Sequence, residues 1–172
     1  MSNTASTSTS SSLLEVGLAA IRFSRHTLNA YIASIPEASC THQPCSGGNH
    51  LLWVMGHIAW TDDFFVQHFT KSATQLPEQY NDLFGMGSTP RQSADEYPPF
   101  SEVQENLNST REALITWFRS QDEQSLMQPL PENWQDFAPT RATLMGSLAV
   151  HEGIHAGQVT VARKSLGLAP LM

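Results

Sequence analysis

Nowhere does this sequence string together the roughly 18 apolar residues that a membrane-spanning helix needs, so no membrane span is expected. Basic residues are scarce: nine Lys and Arg against 16 Asp and Glu give a formal net charge of −7. They form no cluster that could follow a phosphate backbone, which argues against nucleic acid as a partner. Two cysteines, Cys40 and Cys45, are too few for a disulfide framework. Residues 1–12 have neither the positive charge nor the apolar stretch of a secretory signal. A transit-peptide reading of that segment is weakened by the lack of any arginine before Arg22. From these absences we expect a cytoplasmic protein with reduced thiols. Period-two alternation and hairpin turn signals are missing too, so strands are not expected.

What is present is an ordinary globular composition, with 40% hydrophobic and 15% charged residues in a chain of 172. That length suits one domain with a sizeable core. Residues 1–11 are rich in Ser and Thr and read as a flexible tail, leaving 12–172 as the domain. Four segments carry helical periodicity. The first runs from Leu13 to about Ser34, with Leu14, Leu18, Ile21, Leu28, Ile32 and Ile35 on one stripe. Ser12 and Glu15 form a capping-box pattern at its start, and Pro36 stops it. Arg25 interrupts the stripe and is expected to reach water along its aliphatic stem.

The second segment, about His50 to Lys71, carries Trp53, His57, Trp60 and Phe64 on one stripe. A third, Glu102 to Ser120, follows a capping-box pattern at Ser101 and aligns Val103, Leu107, Thr110, Leu114 and Trp117. The fourth runs from Arg141 to Leu166. Thr140 is its expected cap, Gly167 its C-terminal stop, and Arg163 and Lys164 lie at the negative end of its dipole. Between the second and third lies a long connection, Ser72 to Pro99, punctuated by Pro77, Gly85, Gly87, Pro90, Pro98 and Pro99. Loops of that length in a compact domain tend to be functional, and Tyr80, Leu83 and Phe84 could anchor this one. The pattern as a whole predicts an all-α four-helix bundle with long inter-helix loops.

The fourth stripe is the informative one: Leu144, Leu148, His151, His155, Gln158 and Ala162 share a face. Side chains four apart on a helix have Cβ atoms roughly 5–6 Å apart, so both imidazoles can reach one ion. Burying an imidazole is costly unless its ring nitrogens find partners. His57 sits at a similar depth on the second helix, and packed helix axes are roughly 8–10 Å apart. Three histidines with an open position are the donor set of a catalytic zinc site. A core-residue reading of each histidine alone stands beside this one.

His151-Glu152-Gly153-Ile154-His155 also matches H-E-x-x-H, in which Glu is the general base of a zinc protease. The 17 residues after His155 contain no His, Asp or Glu to act as the downstream third ligand. Glu152 is turned about 100° from His151 and can face a neighbouring helix, water, or the back of a ligand. Cys40, His42, Cys45 and His50 match no common zinc spacing and read as an incidental polar loop. His26 and His68 read as surface or rim residues.

Two of these segments carry a family resemblance. Trp53-Val54-Met55-Gly56-His57-Ile58-Ala59-Trp60 is similar to the W-x-x-G-H-[LI]-A segment of the DinB-like superfamily. His151 to Gln158 resembles its H-x-x-x-H-x-G-Q segment on the last helix, and Leu83-Phe84-Gly85 with Ser88-Thr89-Pro90 resembles its loop after the second helix. The resemblance implies an up-down-down-up bundle, often a homodimer, with a metal held by His57, His151 and His155. Relatives of known activity include transferases and isomerases that use low-molecular-weight thiols; a DNA-repair role is not implied.

Three functions follow as expectations. The first is a metal-dependent enzyme of the thiol S-transferase type, with zinc or nickel as the divalent ion and a small-molecule substrate. In it Gln158 orients water or substrate, and Trp53 and Trp60 wall the pocket. The second is a non-catalytic metal- or small-ligand-binding or sensing module. The third is a metal-dependent hydrolase, in which the ion lowers the pKa of water. A protein whose histidines are only core residues is the least expected.

Overall fold

The computed structural model describes residues 12–171. The expected tail, 1–11, lies outside them. Six α-helices are formed among the described residues: α1 Ser12–Ile32, α2 Leu51–Thr70, α3 Tyr80–Phe84, α4 Phe100–Arg119, α5 Glu123–Leu126 and α6 Arg141–Ser165. Four are long and make the bundle; α3 and α5 are single turns inside the two connections. There is no strand among the described residues, only an isolated antiparallel bridge between Pro129 and Thr140.

The apolar stripe of α1 is buried as its spacing predicts: Leu14, Leu18, Ile21, Leu28 and Ile32. Ser12, the first described residue, is already helical. Helix α6 is closed at its start by a reciprocal Thr140–Thr143 cap and at its end by Gly167 at φ +73°. There the Gly167 and Leu168 amides donate back to the carbonyls of Lys164 and Arg163. The expected Ser101 cap is not formed. Helix α4 starts two residues earlier than expected, at Phe100 after Pro99, whose fixed φ suits a helix entry, and Ser101 sits exposed in its first turn.

Helix α2 departs most from its expected pattern. Besides Trp53 and His57 it buries Leu51, Leu52, Val54, Met55, Ile58, Ala59, Phe65 and Val66. A helix that is apolar nearly all round belongs in the interior, and α2 packs against α3, α4 and α6 at once. Its first turn is capped by a ring nitrogen: His50 Nδ1 accepts from the Trp53 amide at 3.1 Å.

The helix directions follow from which residues meet. Ser24 and Tyr31 on α1 meet Glu152 and Arg163 on α6, so these two run parallel. Asp62 and Phe69 on α2 meet Arg111 and Trp117 on α4, again parallel. Arg25 reaches the Leu107 carbonyl while Arg111 faces that of Ile21, so α1 and α4 are antiparallel. The order is up-down-down-up. A parallel α2–α4 pair accounts for the long connection between them. A helix of 20 residues is about 30 Å long, and the chain must return that distance before starting again. The expected anchors Tyr80, Leu83 and Phe84 are buried in α3. The Asp63 carboxylate fixes the start of the return by accepting from Thr74 Oγ1 and the Gln75 amide.

The apolar core is divided in two. One cluster gathers Leu28, Ile32, Leu52, Ile58, Phe84, Leu107 and Val159. The other gathers Leu18, Ile21, Phe65, Leu114, Phe118, Leu144 and Leu148. Between them each long helix contributes buried polar side chains at one level: Ser24 and Arg25 from α1, Asp62 from α2, Arg111 from α4 and Glu152 from α6. Arg25 therefore does not reach water. Its Nε donates to Glu152 at 2.6 Å, and its other nitrogens to Asp62 and the Leu107 carbonyl. Arg111 spans the same two carboxylates, with Nε 2.7 Å from Asp62 and Nη1 3.2 Å from Glu152. Ser24 Oγ completes the set with a bond to Glu152. Two cations and two anions, each with several partners, satisfy one another, as so buried a set requires.

Candidate metal centre

His57 projects from the middle of α2, and His151 and His155 from one face of α6. Because α2 and α6 run antiparallel, the three rings meet beside the charged level. His57 Nε2 lies 3.3 Å from His151 Nε2, and His155 Nε2 lies 3.2 Å from the same atom. One ligand-type atom from each ring lies within 4.8 Å of those of the other two. His57 and His155 are buried and His151 is partly exposed.

The tautomers follow from the other ring nitrogens. His57 Nδ1–H donates to the Phe84 carbonyl at 2.7 Å. That carbonyl comes close because residue 56 is glycine; a Cβ there would run into the Phe84 ring. His155 Nδ1–H donates to Gln158 Oε1 at 2.8 Å, and Gln158 Oε1 also accepts from Asn49 Nδ2 at 2.9 Å. With both Nδ1 atoms protonated, both Nε2 atoms present bare lone pairs. A second partner that fixes tautomer and ring direction is what metal-binding imidazoles ordinarily have. Four nitrogens at about 2.0–2.1 Å around a tetrahedral ion would be separated by about 3.3–3.4 Å. The two short Nε2 separations fit that donor set, so the three rings could hold one ion.

Burial pushes all three imidazoles below their ordinary pKa. His151 is carried down to about 3 by burial first, then by the neighbouring His155 and His57 and by Arg111. His155 is carried to about 4 by burial and His57, despite the opposing bond to Gln158. His57 is lowered by burial as well. At neutral pH the rings are uncharged, the form a metal requires.

The residues expected around the histidines fall into different roles. The Trp53 ring stacks on His57 with centroids 4.6 Å apart and planes 9° apart. It is buried behind His57, and its Nε1–H donates to Ser88 Oγ. Trp60 stands on the other side of His57 at 6.1 Å and lines an open cavity. Gln158, expected to orient water or substrate, has its carboxamide oxygen engaged by His155 and Asn49. Glu152 is fully buried and faces away from the rings into the two arginines. A carboxylate held by two guanidiniums is unsuited to act as a general base, so the zinc-protease reading finds no support here.

The other histidines and the cysteines do not join the cluster. Cys40 is buried and Cys45 exposed. His42 meets Ser165, and His50 caps α2 while its Nε2 meets the Arg91 carbonyl. His26 is exposed and His68 partly so. Among the described residues no other set of three His, Cys, Asp or Glu side chains could hold an ion. Sequence reasoning missed the Phe84 carbonyl, the Asn49 contact and the cavity wall from Trp134 and Phe137. None of these lies on a helical stripe with the histidines.

A four-helix bundle with three converging imidazoles defines a class of metal-binding-competent helical proteins. The chain belongs to the DinB superfamily, whose family model matches residues 20–159. A solved structure described as the conserved protein of a locus from Enterococcus faecalis shares the fold, with a TM-score of 0.67 at 16% identity. The alignment covers 92% of this chain and 99% of that one. No match was found among curated proteins. Among the described residues no helix is long and apolar enough to cross a membrane.

Proposed function

We propose that this protein is a metal-dependent enzyme for small molecules, of the thiol S-transferase type, holding one divalent zinc or nickel ion through Nε2 of His57, His151 and His155. The observation that carries the reading is the convergence of three imidazoles, two with their outer nitrogens tied down, beside an open cavity. An ion there would supply Lewis acidity and favour the thiolate form of a bound thiol. The chain's own residues aim the donors and keep them neutral. The Phe84 carbonyl orients His57, Gln158 orients His155, and Trp53 backs the His57 ring against rotation.

The sensing or binding reading draws on a different observation. Among the described residues, Thr61 and Asn133 are the only polar residues besides the histidines that line the cavity beside the rings. Neither offers a nucleophile with an adjacent base.

The test is metal content by plasma mass spectrometry, for wild type and for His155→Ala, after reconstitution with zinc, nickel or cobalt. About one equivalent in wild type and a loss of at least roughly 100-fold in affinity in the variant are expected, as for removal of one of three ligands. Absence of bound metal in both would end this reading. Thiol transfer that persists undiminished in metal-free protein would end its catalytic half.

A further inference from the structure

The cavity next to the histidines has a volume of about 340 Å³, at the small end of ligand pockets. His57 and His151 form its inner edge. Its walls are aromatic and continuous. Trp60 stacks on Phe64 at 5.4 Å, and Phe64 meets Trp134 at 5.1 Å. Phe137 closes the circuit, with its ring 6.0 Å from that of Phe65 and 6.2 Å from His151. Among the described residues no Lys, Arg, Asp or Glu lines it. The Thr61 hydroxyl is committed to the His57 carbonyl at 2.9 Å, which leaves little polar capacity in the walls.

Such a lining selects by desolvation. A charged group placed between these rings would lose its water and find no counter-charge. A flat apolar group would gain by burial and by edge or face contact with the rings. Aromatic walls also attract cations, but a metal ion at the inner edge would repel one and no carboxylate opposes that repulsion. We propose that this cavity binds an uncharged aryl compound of about one ring, its single donor atom directed at His57 and His151. The inference rests on the metal-site reading and narrows its substrate class. Charged, water-soluble molecules would have to approach from outside the aromatic walls. Met86, exposed beside Gly87 at φ +86°, and the half-exposed Phe137 stand at the mouth.

The experiment compares two thiols of similar size on cobalt-loaded protein, read by the visible spectrum of the ion. Phenylmethanethiol should perturb the spectrum at a concentration at least roughly tenfold lower than 2-sulfanylethanesulfonate, a preference of the size that burying an apolar ring gives. Trp134→Ala should erase most of that preference. Phe137→Ala, at the half-exposed mouth, serves the same purpose should the first variant fold poorly. Equal or tighter binding of the charged thiol overturns the inference, as does failure of both thiols on protein that holds cobalt normally. If no cobalt binds, the metal-site reading fails by itself. Toluene titration of the metal-free protein, followed by tryptophan fluorescence, then decides the cavity. Saturable binding weakened in Phe137→Ala upholds the apolar pocket, and no binding overturns it.

Discussion

Two polar clusters sit side by side in this bundle, and they are opposite in kind. Arg25, Asp62, Arg111 and Glu152 form a closed set, in which each charged group meets partners of the other sign or a backbone carbonyl. The three histidines form an open set. The outer nitrogens of His57 and His155 are tied down, yet the three Nε2 atoms face one another, and a single proton on His151 could satisfy at most one neighbour. A closed set holds four helices in register. An open set of bare donors holds its shape only because the surrounding structure does, and it could hold an ion. Polarity in a core therefore does not mark a site; unspent donor capacity does.

The largest effect is expected from breaking the closed set. Asp62→Ala leaves two guanidiniums short of their partner in the interior and should cost about 3–5 kcal/mol in chemical denaturation. A loss under about 1 kcal/mol would mean the network is dispensable. The next effect separates the clusters by pH. The folded values of His151, about 3, and His155, about 4, lie below the 6.5 of the unfolded chain. The unfolded chain therefore takes up these protons first. Metal-free protein should be at full stability above pH 6.5 with respect to these groups and lose stability as pH falls from there toward about 4. Melting curves of wild type and of a His151→Phe variant check this, and the variant should show a shallower decline over that window. The smallest effect is expected at Gln158→Leu, which removes the acceptor from His155 Nδ1–H. Metal affinity should fall roughly tenfold, the lower end for loss of an outer hydrogen bond to a ligand, with melting of the metal-free protein nearly unchanged.

Several of these features were legible in the residues. The stripes on α1 and α6, the Thr140 cap and the Gly167 stop depend on local chemistry, and each is formed as its pattern dictates. The i, i+4 spacing of His151 and His155 placed both rings on the buried face, because helix geometry converts spacing into direction. The charged level was less visible, although it left a signal. Arg25, Asp62, Arg111 and Glu152 each lie three or four residues from apolar neighbours on their own helix, as Arg111 does between Leu107 and Leu114. Only Arg25 stood out as an interruption, and its long stem suggested an escape to water. The partners that prevent it come from three other helices. The Ser101 cap failed for a related reason: a local motif competed with the neighbouring Pro99 and lost.

The sequence by itself determined four amphipathic or apolar helices, where most of them start and stop, and which histidines share a face. These depend on backbone periodicity and capping, which act within a few residues. Only the tertiary structure decided that α2 is the buried centre, that Glu152 belongs to the charge network rather than to the histidines, and that the Phe84 carbonyl and Gln158 fix the two tautomers. It alone assembled the aromatic cavity, from α2 and the connection before α6. Those outcomes depend on which elements meet across the bundle, and that is settled by packing and by the pairing of buried charges, not by local spacing.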